Sequence, residues 1–501
     1  MKLRSSIKAN LLASWAAHGV ALAVGLFLMP YVLHTLGDGS YGTWIFINAF
    51  SNYAGLLYLG FGKTVSRFVA SYHARHEWDR LNEVVNVALA VYSLMGLLTL
   101  VAVGVLAWLA PALHAWEVDS VLEIQWVIVV LGVNVVIGLV GSVFGGVLYG
   151  VQRFDQERTI LIGADLLRAA LTVLFLQSRW GLLTLSLIFL VVTVLENLAH
   201  IALALRNVPT LAFGVRYLKL HTLKECLGFS VFALVGTLAG QLIYATDTVV
   251  IGFVLGARAI VPYYIALRLC QFLRRPIQQI GDVCMPKAGE LQARSQGDQL
   301  QSLVVRSMGV AVLLAAGVLI GAVCFGDALI ERWVGPGYPE SHLLLMAMLA
   351  GQVVAIPIDV LRSIMFGMGH VRGPSLAYLG EALANIVLSL ILIHPLGLWG
   401  VALGTIIPLV LVELGWLLPF ALRKLQFHPL VVARGVLGPQ ILPLVALLCY
   451  STWVDSQFDV SGSWVRLGAV TVGGGAVLGG TWGLQWLLQR SGRVPRAAAA
   501  A

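Results

Sequence analysis

Long apolar stretches alternate with short polar connections from one end of this chain to the other. An α-helix rises about 1.5 Å per residue, so about 20 consecutive apolar residues cross the ~30 Å hydrocarbon layer of a bilayer. Windows of that length predict fourteen spans, over residues 10–34, 41–63, 83–110, 121–149, 159–177, 181–205, 226–254, 260–284, 304–329, 341–368, 375–394, 397–421, 431–452 and 465–489. The expected fold class is an all-α polytopic membrane protein. Composition agrees, with 59% of residues hydrophobic and 11% charged, where soluble domains carry about 25% charged residues.

The connections differ in charge. Taking every second connection and both tails as one side, 27 of the 32 lysines and arginines fall there. The opposite side keeps Arg179, Arg258, Arg332 and Arg466 beside acids such as Asp38, Glu117, Asp119, Glu340, Asp455 and Asp459. Lysine and arginine accumulate in cytoplasmic connections, so both termini are expected in the cytoplasm. The net charge of +8 is then an orientation signal, and no nucleic-acid partner is expected. The first apolar segment runs from Leu11 to about Leu33 without a small-residue cleavage site, which predicts a retained helix. Cys226, Cys270, Cys284, Cys324 and Cys449 show no CxxC spacing, so neither a disulfide framework nor a metal site is expected.

The stretch Leu36 to Tyr72 condenses the pattern: a polar turn over Leu36-Gly37-Asp38-Gly39-Ser40, an apolar helix from Tyr41 to Gly62, and a basic exit through Lys63 and Arg67. Its LG-x(3)-YG-x-W motif, followed by LGFG-x(3)-SR, is similar to the amino-terminal hairpin of polysaccharide-lipid flippases, the Wzx-type members of the MOP exporter superfamily. The resemblance covers residues 8 to 75 in detail and the succession of apolar segments over most of the chain. It implies a bacterial inner-membrane location and a MATE-like pair of helical bundles working by alternating access. The implied substrate is an undecaprenyl-diphosphate-linked oligosaccharide for cell-surface polysaccharide, with membrane lipids and other polysaccharide-assembly membrane proteins as partners.

A repeat runs through the same pattern. Gly150 in VLYGVQRF and Gly367 in IMFGMGHVR, Gly163 and Gly380, Glu196 and Glu413, and the Ala-Leu-Arg triplets ending at Arg206 and Arg423 all lie 217 residues apart. Leu36-Gly37 and Leu255-Gly256 lie 219 apart. Pairing the first six spans with the next six, both sets starting in the cytoplasm, predicts two parallel six-helix bundles at residues 1–220 and 221–424. Residues 425–501 then hold two additional transmembrane helices and a short basic tail. Repeats of this kind bind substrate near midplane where the halves meet.

Motifs of soluble enzymes do not survive their context. Gly37 to Gly42 spells GxGxxG but joins two membrane helices instead of following a strand, and Gly62-Lys63-Thr64 lacks the first glycine of a phosphate loop, since residue 57 is leucine. No nucleotide, cofactor or catalytic site is expected. Ionisable residues inside spans are the remaining candidates, because each costs about 2.5 to 3.5 kcal/mol at a helix centre and is seldom placed facing lipid. Arg268 lies about nine residues into its span, near midplane. With Arg274 and Arg275, and with Lys63 and Arg67 at a cytoplasmic entrance, it is a candidate for the diphosphate headgroup. Asp247 on the preceding span is the alternative partner of Arg268, in a structural ion pair. Glu196 and Glu413 are candidates for proton or cation coupling, or for carboxyls bonded to neighbouring helices. Asp165 and Arg168, at i, i+3, are expected to pair, and Pro276 is expected to kink or break its helix.

The expected function is a lipid-linked oligosaccharide flippase. A drug or cation antiporter of the same superfamily is the alternative, for which an acidic cavity is wanted where Arg268 stands. A membrane glycan polymerase or ligase calls for a long catalytic loop outside the cytoplasm, where the connections here are short.

Overall fold

The computed structural model describes residues 7–54, 61–112, 116, 120–176, 181–460 and 462–490. The expected positions of Lys2, Arg4, Glu117, Asp119, Arg179, Arg493 and Arg496 fall outside the described residues. Among the described residues every regular element is helical. The principal helices are α1 (Ile7–Ala54), α2 (Phe61–Arg75), α3 (Trp78–Leu109), α4 (Val121–Gly150), α5 (Phe154–Phe175), α6 (Gly181–Asn207), α7 (Leu220–Leu255), α8 (Ile260–Ala293), α9 (Gly297–Val334), α10 (Pro339–Gly367) and α11 (Arg372–Leu396). They continue as α12 (Leu398–Val412), a five-residue π-turn (Glu413–Leu417), α13 (Leu418–Leu425), α14 (Pro429–Leu437), α15 (Ile441–Gln457) and α16 (Trp464–Arg490). Ten helices among the described residues are long and apolar enough to cross a membrane. Helices α5 and α8 fall below that standard because they carry the intramembrane charges, Asp165 and Arg168 on one and Arg268, Arg274 and Arg275 on the other.

The chain divides into two compact units, Met1–Ile260 and Val261–Ala501. This division and the repeat division near residue 220 differ by α7, which opens the second repeat in sequence yet packs on α1, α2 and α3 of the first unit. In the first unit, Val65, Val69, Leu81, Val85, Tyr92 and Leu139 form the buried core between α2, α3 and α4. In the second, Ala288, Val304, Ala311, Val360, Ile364 and Met365 do the same between α8, α9 and α10. The two carboxy-terminal helices of the sequence reading pack along α9, with Gly309 against Gln440 and Gly317 against Leu478.

Turns one repeat apart have the same backbone. Gly37 (φ 75°, ψ 167°) interrupts α1 where two spans were expected, and Gly256 (φ 88°, ψ 164°) ends α7. Only glycine takes such positive φ values without strain. These two turns meet within the first unit: a Cβ on Gly42 would stand 2.0 Å from the Ala257 carbonyl oxygen, and the Asp38 carboxylate is 3.9 Å from Arg258. A second pair closes α4 and α10. Gln152 (φ 61°) and Gly369 (φ 80°) both take the left-handed conformation. Around them Arg153 N–H donates to Leu148 C=O (2.9 Å), and His370 N–H donates to Met365 C=O (2.9 Å), the same bond 217 residues on. Each of these helices approaches a neighbour through the glycine of the expected repeat, Gly150 at the Ser66 carbonyl and Gly367 at the Met285 carbonyl.

The segment joining the repeats is held to α3. Asn82 donates to Thr210 C=O (3.0 Å) and accepts from Ala212 N–H (3.1 Å), while Asn86 donates to Ala212 C=O (2.8 Å) and accepts from Gly214 N–H (3.0 Å). Two side-chain amides thus act on this strap as a neighbouring strand would. Contrary to expectation, α8 runs through Pro276 without a break. Proline removes one backbone donor, and a helix packed in a bundle tolerates that loss because neighbouring groups satisfy the freed carbonyl.

Candidate functional site

In the second unit the polar residues of three helices meet in one buried cluster. On α10, Asp359 and Arg362 share a face at i, i+3, and Arg362 bonds Asp359 on its own helix and Glu413 at the π-turn. Asp359 also accepts from Arg274 of α8 (2.8 Å) and from Gln278 one turn further on (2.9 Å). The Arg362 guanidinium lies 4.8 Å over the Tyr378 ring of α11, a cation–π contact. Glu381, one turn beyond Tyr378, is within side-chain hydrogen-bonding reach of Glu413. Glu413 is 2% exposed and Glu381 4%. Two guanidiniums face three carboxyls, and among the described residues Glu381 has no ion pair inside its unit. A π-turn inserts one residue into the helical repeat, and such insertions recur at functional sites; here it aims Glu413 at Arg362.

The first unit places its own acid at the equivalent position and treats it more loosely. Arg168 of α5 bonds Asp165 at 3.0 Å, as the i, i+3 spacing predicts, and reaches Glu196 of α6 only at 3.9 Å. Its guanidinium lies 4.9 Å over Phe189, which meets Trp44 edge to face at 5.2 Å. Further along α6, Asn197 packs on Gly141 and buried His200 faces Gly145.

The three arginines of α8 do not act together. Residues 268, 272 and 275 repeat at i, i+4, i+7 and form one stripe, along which Arg268 is half-buried with its guanidinium 5.1 Å over Phe272, and Arg275 is exposed. Among the described residues of its own unit, neither arginine forms a hydrogen bond or ion pair. Arg274 points about 100° away round the helix and is taken up by Asp359. Arg67 is exposed on α2, 5.8 Å over Phe68, and the side chain of Lys63 lies outside the described residues. Asp247 is buried on α7, between Thr246 and Thr248, in the first unit. The sequence reading missed Asp359, Tyr378, Glu381 and His200. Following the 217-residue register outward from Glu413 would have paired Arg362 with Gly145 and exposed the difference.

Beside the second cluster lies an apolar cavity of about 410 Å³. Val312, Pro357, Leu418 and Val436 contribute to its wall, as do Ile358 and Leu414, the neighbours of Asp359 and Glu413.

Long apolar helices carrying a buried ion network in each unit define a polytopic membrane protein with a transporter fold. The chain belongs to the polysaccharide biosynthesis protein family, whose model matches residues 79–342. It is 22% identical over 453 residues to the uncharacterized membrane protein EpsK of Bacillus subtilis, covering 88% of this chain and 87% of that one. The probable low-salt glycan biosynthesis flippase Agl15 of Haloferax volcanii is 22% identical over 208 residues, 40% of this chain and 43% of its own. Among solved structures the fold matches the lipid II flippase MurJ in an inward closed conformation (TM-score 0.73, 13% identity, 97% of this chain and 99% of that one). It also matches an inward-facing multidrug resistance MATE transporter of the MOP superfamily (TM-score 0.66, 15% identity, 82% and 94% covered). These agree with the resemblance read from the Leu36–Tyr72 stretch, although the family match begins downstream of it, at residue 79.

Proposed function

We propose that this protein is a flippase moving a diphosphate-linked oligosaccharide on a polyprenyl lipid from the cytoplasmic to the outer leaflet of the bacterial inner membrane, by alternating access. The observation that carries the reading is the α8 stripe, where Arg268 and Arg275 present two guanidiniums that no carboxylate of their own unit neutralises. Guanidinium forks suit phosphate oxygens, and an unpaired intramembrane charge calls for an anionic partner. Arg274 supports the stripe from behind through Asp359 and does not bind the headgroup. The apolar cavity offers a wall for the lipid chain. Support from relatives is the family itself and the flippase name carried by Agl15. Both termini stand in the cytoplasm in this reading, residues 1–220 and 221–424 are the two repeats, 425–501 is an addition to them, and neighbouring polysaccharide-assembly proteins supply and receive the substrate.

Surface glycan and membrane protein amount, measured in a strain lacking the native copy, test it. Arg268→Ala combined with Arg275→Ala should lower export about tenfold or more at normal protein level, the scale of a lost charge-assisted hydrogen bond. Arg268→Lys, which keeps charge without the planar fork, should give a partial defect. Full export from the double variant would remove the stripe from the mechanism.

A further inference from the structure

The first unit buries a titratable side chain that the headgroup reading leaves unused. His200 lies on α6 with 5% of its surface exposed, and among the described residues neither ring nitrogen has a hydrogen-bond partner. Buried polar atoms are normally satisfied, and an ionisable group inside a membrane span faces a partner or a polar path in place of lipid. The surrounding residues identify that partner. One turn back on the same face of α6 stands Glu196, at the i, i+4 spacing that brings two side chains together. Opposite the ring, α4 presents Gly145, where a Cβ would lie 3.9 Å from Nε2, and α4 carries no ionisable side chain between Glu123 and Tyr149. From α5 come Asp165 and Arg168, with Glu157 about two turns nearer the cytoplasm.

The second repeat supplies an internal control. At 217 residues on, Glu196 becomes Glu413, Gly145 becomes Arg362 and His200 becomes Leu417. There the acid is closed off by Arg362, a permanent charge, and Leu417 is buried at 1% exposure. In the first repeat the arginine position of α4 is glycine, Arg168 reaches Glu196 only at 3.9 Å, and an imidazole occupies the leucine position. Histidine changes charge between about pH 5 and 8, which arginine does not.

We infer that His200 and Glu196 form a proton-exchanging pair. In one state of the cycle protonated His200 donates to the Glu196 carboxylate; in the other the proton has left to water and Glu196 is held by Arg168 alone. The proton enters from water on one side and returns to water on the other, so no further reactant is required. His200 is a coupling residue for the transport proposed above; that use rests on the flippase reading, while the titration of the pair does not.

Two measurements test the pair and its use separately. Full-length protein in lipid nanodiscs, with ¹⁵N-labelled histidines, reports imidazole charge directly. His200→Leu assigns the signal, at a position whose repeat counterpart already packs leucine, and His200→Gln is the second assignment variant. The expected result is a ring that takes up a proton between pH 8 and 5, with a midpoint that Glu196→Gln lowers by about one unit, because a neighbouring carboxylate favours the imidazolium. A ring that keeps one charge state across that range, or a midpoint unmoved by Glu196→Gln, overturns the pair. In the deletion strain, His200→Leu and His200→Gln should reach normal membrane levels and lose surface glycan; normal export from either overturns the coupling role. Normal surface glycan in the deletion strain itself would sink the flippase reading and leave the titration standing, so the two failures are told apart.

Discussion

Glu196 and Glu413 stand one repeat apart, yet one is tethered and the other is locked. Glu413 is held by an arginine that also bonds Asp359 and stacks on Tyr378, and Asp359 is fixed in turn from α8 by Arg274 and Gln278. Every charge in that chain of contacts is positioned by at least two others. Glu196 has one guanidinium at 3.9 Å, itself more closely engaged with Asp165. Desolvation explains why the difference matters. Taking an ion pair out of water costs several kcal/mol per ion, recovered only when geometry is good and remaining polar atoms are satisfied. The second unit meets that condition for Arg362 with a network; the first relaxes it by leaving its cluster part-exposed, the Arg168 and Glu196 side chains being 21% and 20% exposed. A locked network suits a body that moves as a whole, and a loose one suits a site whose charge changes during the cycle.

Removing the arginine from each cluster breaks the comparison most forcefully. Arg362→Ala leaves Asp359 and Glu413 buried without their shared cation and should cost about 3 to 5 kcal/mol, seen as loss of folded protein from the membrane. Arg168→Ala removes a longer, part-exposed contact and should cost about 1 kcal/mol, with protein still accumulating. Thermal unfolding of the purified variants in detergent measures both. Equal losses from the two would show that the networks are not differently built.

The helix-approach glycines sharpen it at a smaller scale. A Cβ on Gly367 would stand 2.0 Å from the Met285 carbonyl oxygen, which is backbone and cannot step aside. On Gly150 it would meet Val69 Cγ1 at 2.6 Å, a movable side chain, and the Ser66 carbonyl at 2.9 Å. Gly367→Ala should therefore cost about 2 to 3 kcal/mol and Gly150→Ala about 1, the usual range for overpacking. A larger shift in unfolding temperature from Gly150→Ala would contradict the closer packing of the second unit.

Much of this was written in the apolar pattern. Each of the fourteen expected segments falls on helix, because a run of about twenty apolar residues leaves few other ways to satisfy the backbone in a membrane. Gly37 and Gly256 were legible as turns, and Asp165 with Arg168 as a pair, because both depend on residues close in sequence. The second cluster was not legible, since Arg362 meets Glu413 across 51 positions, and an arginine near a span end reads first as an orientation charge. Arg274 and Arg275 read as one basic patch although adjacent residues on a helix point about 100° apart, and that angle sends the first to Asp359 and leaves the second exposed.

The smallest expected effect contrasts two glutamates at cytoplasmic helix ends. Glu157, at the start of α5, is 6% exposed with Arg158 3.5 Å away, and burial pushes its carboxyl above the ordinary value of 4.5, against the pull of Arg158. Glu290, near the end of α8, is exposed between Lys287 (2.8 Å) and Arg294 (3.0 Å), and the Lys287 hydrogen bond with both positive charges holds it below 4.5. The signs of linkage are opposite. For Glu157 the folded state binds the proton more tightly than the unfolded one, so stability falls as pH rises from about 4.5 through the raised value. For Glu290 the folded state prefers the anion, so its contribution is present above 4.5 and lost as pH falls through the lowered value. Glu157→Gln should then raise the unfolding temperature more at pH 8 than at pH 5, because it removes a buried charge that only the higher pH ionises fully. Glu290→Gln should lower it slightly at pH 8 and leave it unchanged in acid, the exposed pairs being screened by solvent and by added salt. A Glu157→Gln protein destabilised at pH 8 would mean that Arg158 outweighs burial at this site, and that the first unit holds its cytoplasmic acid as firmly as the second holds Glu413.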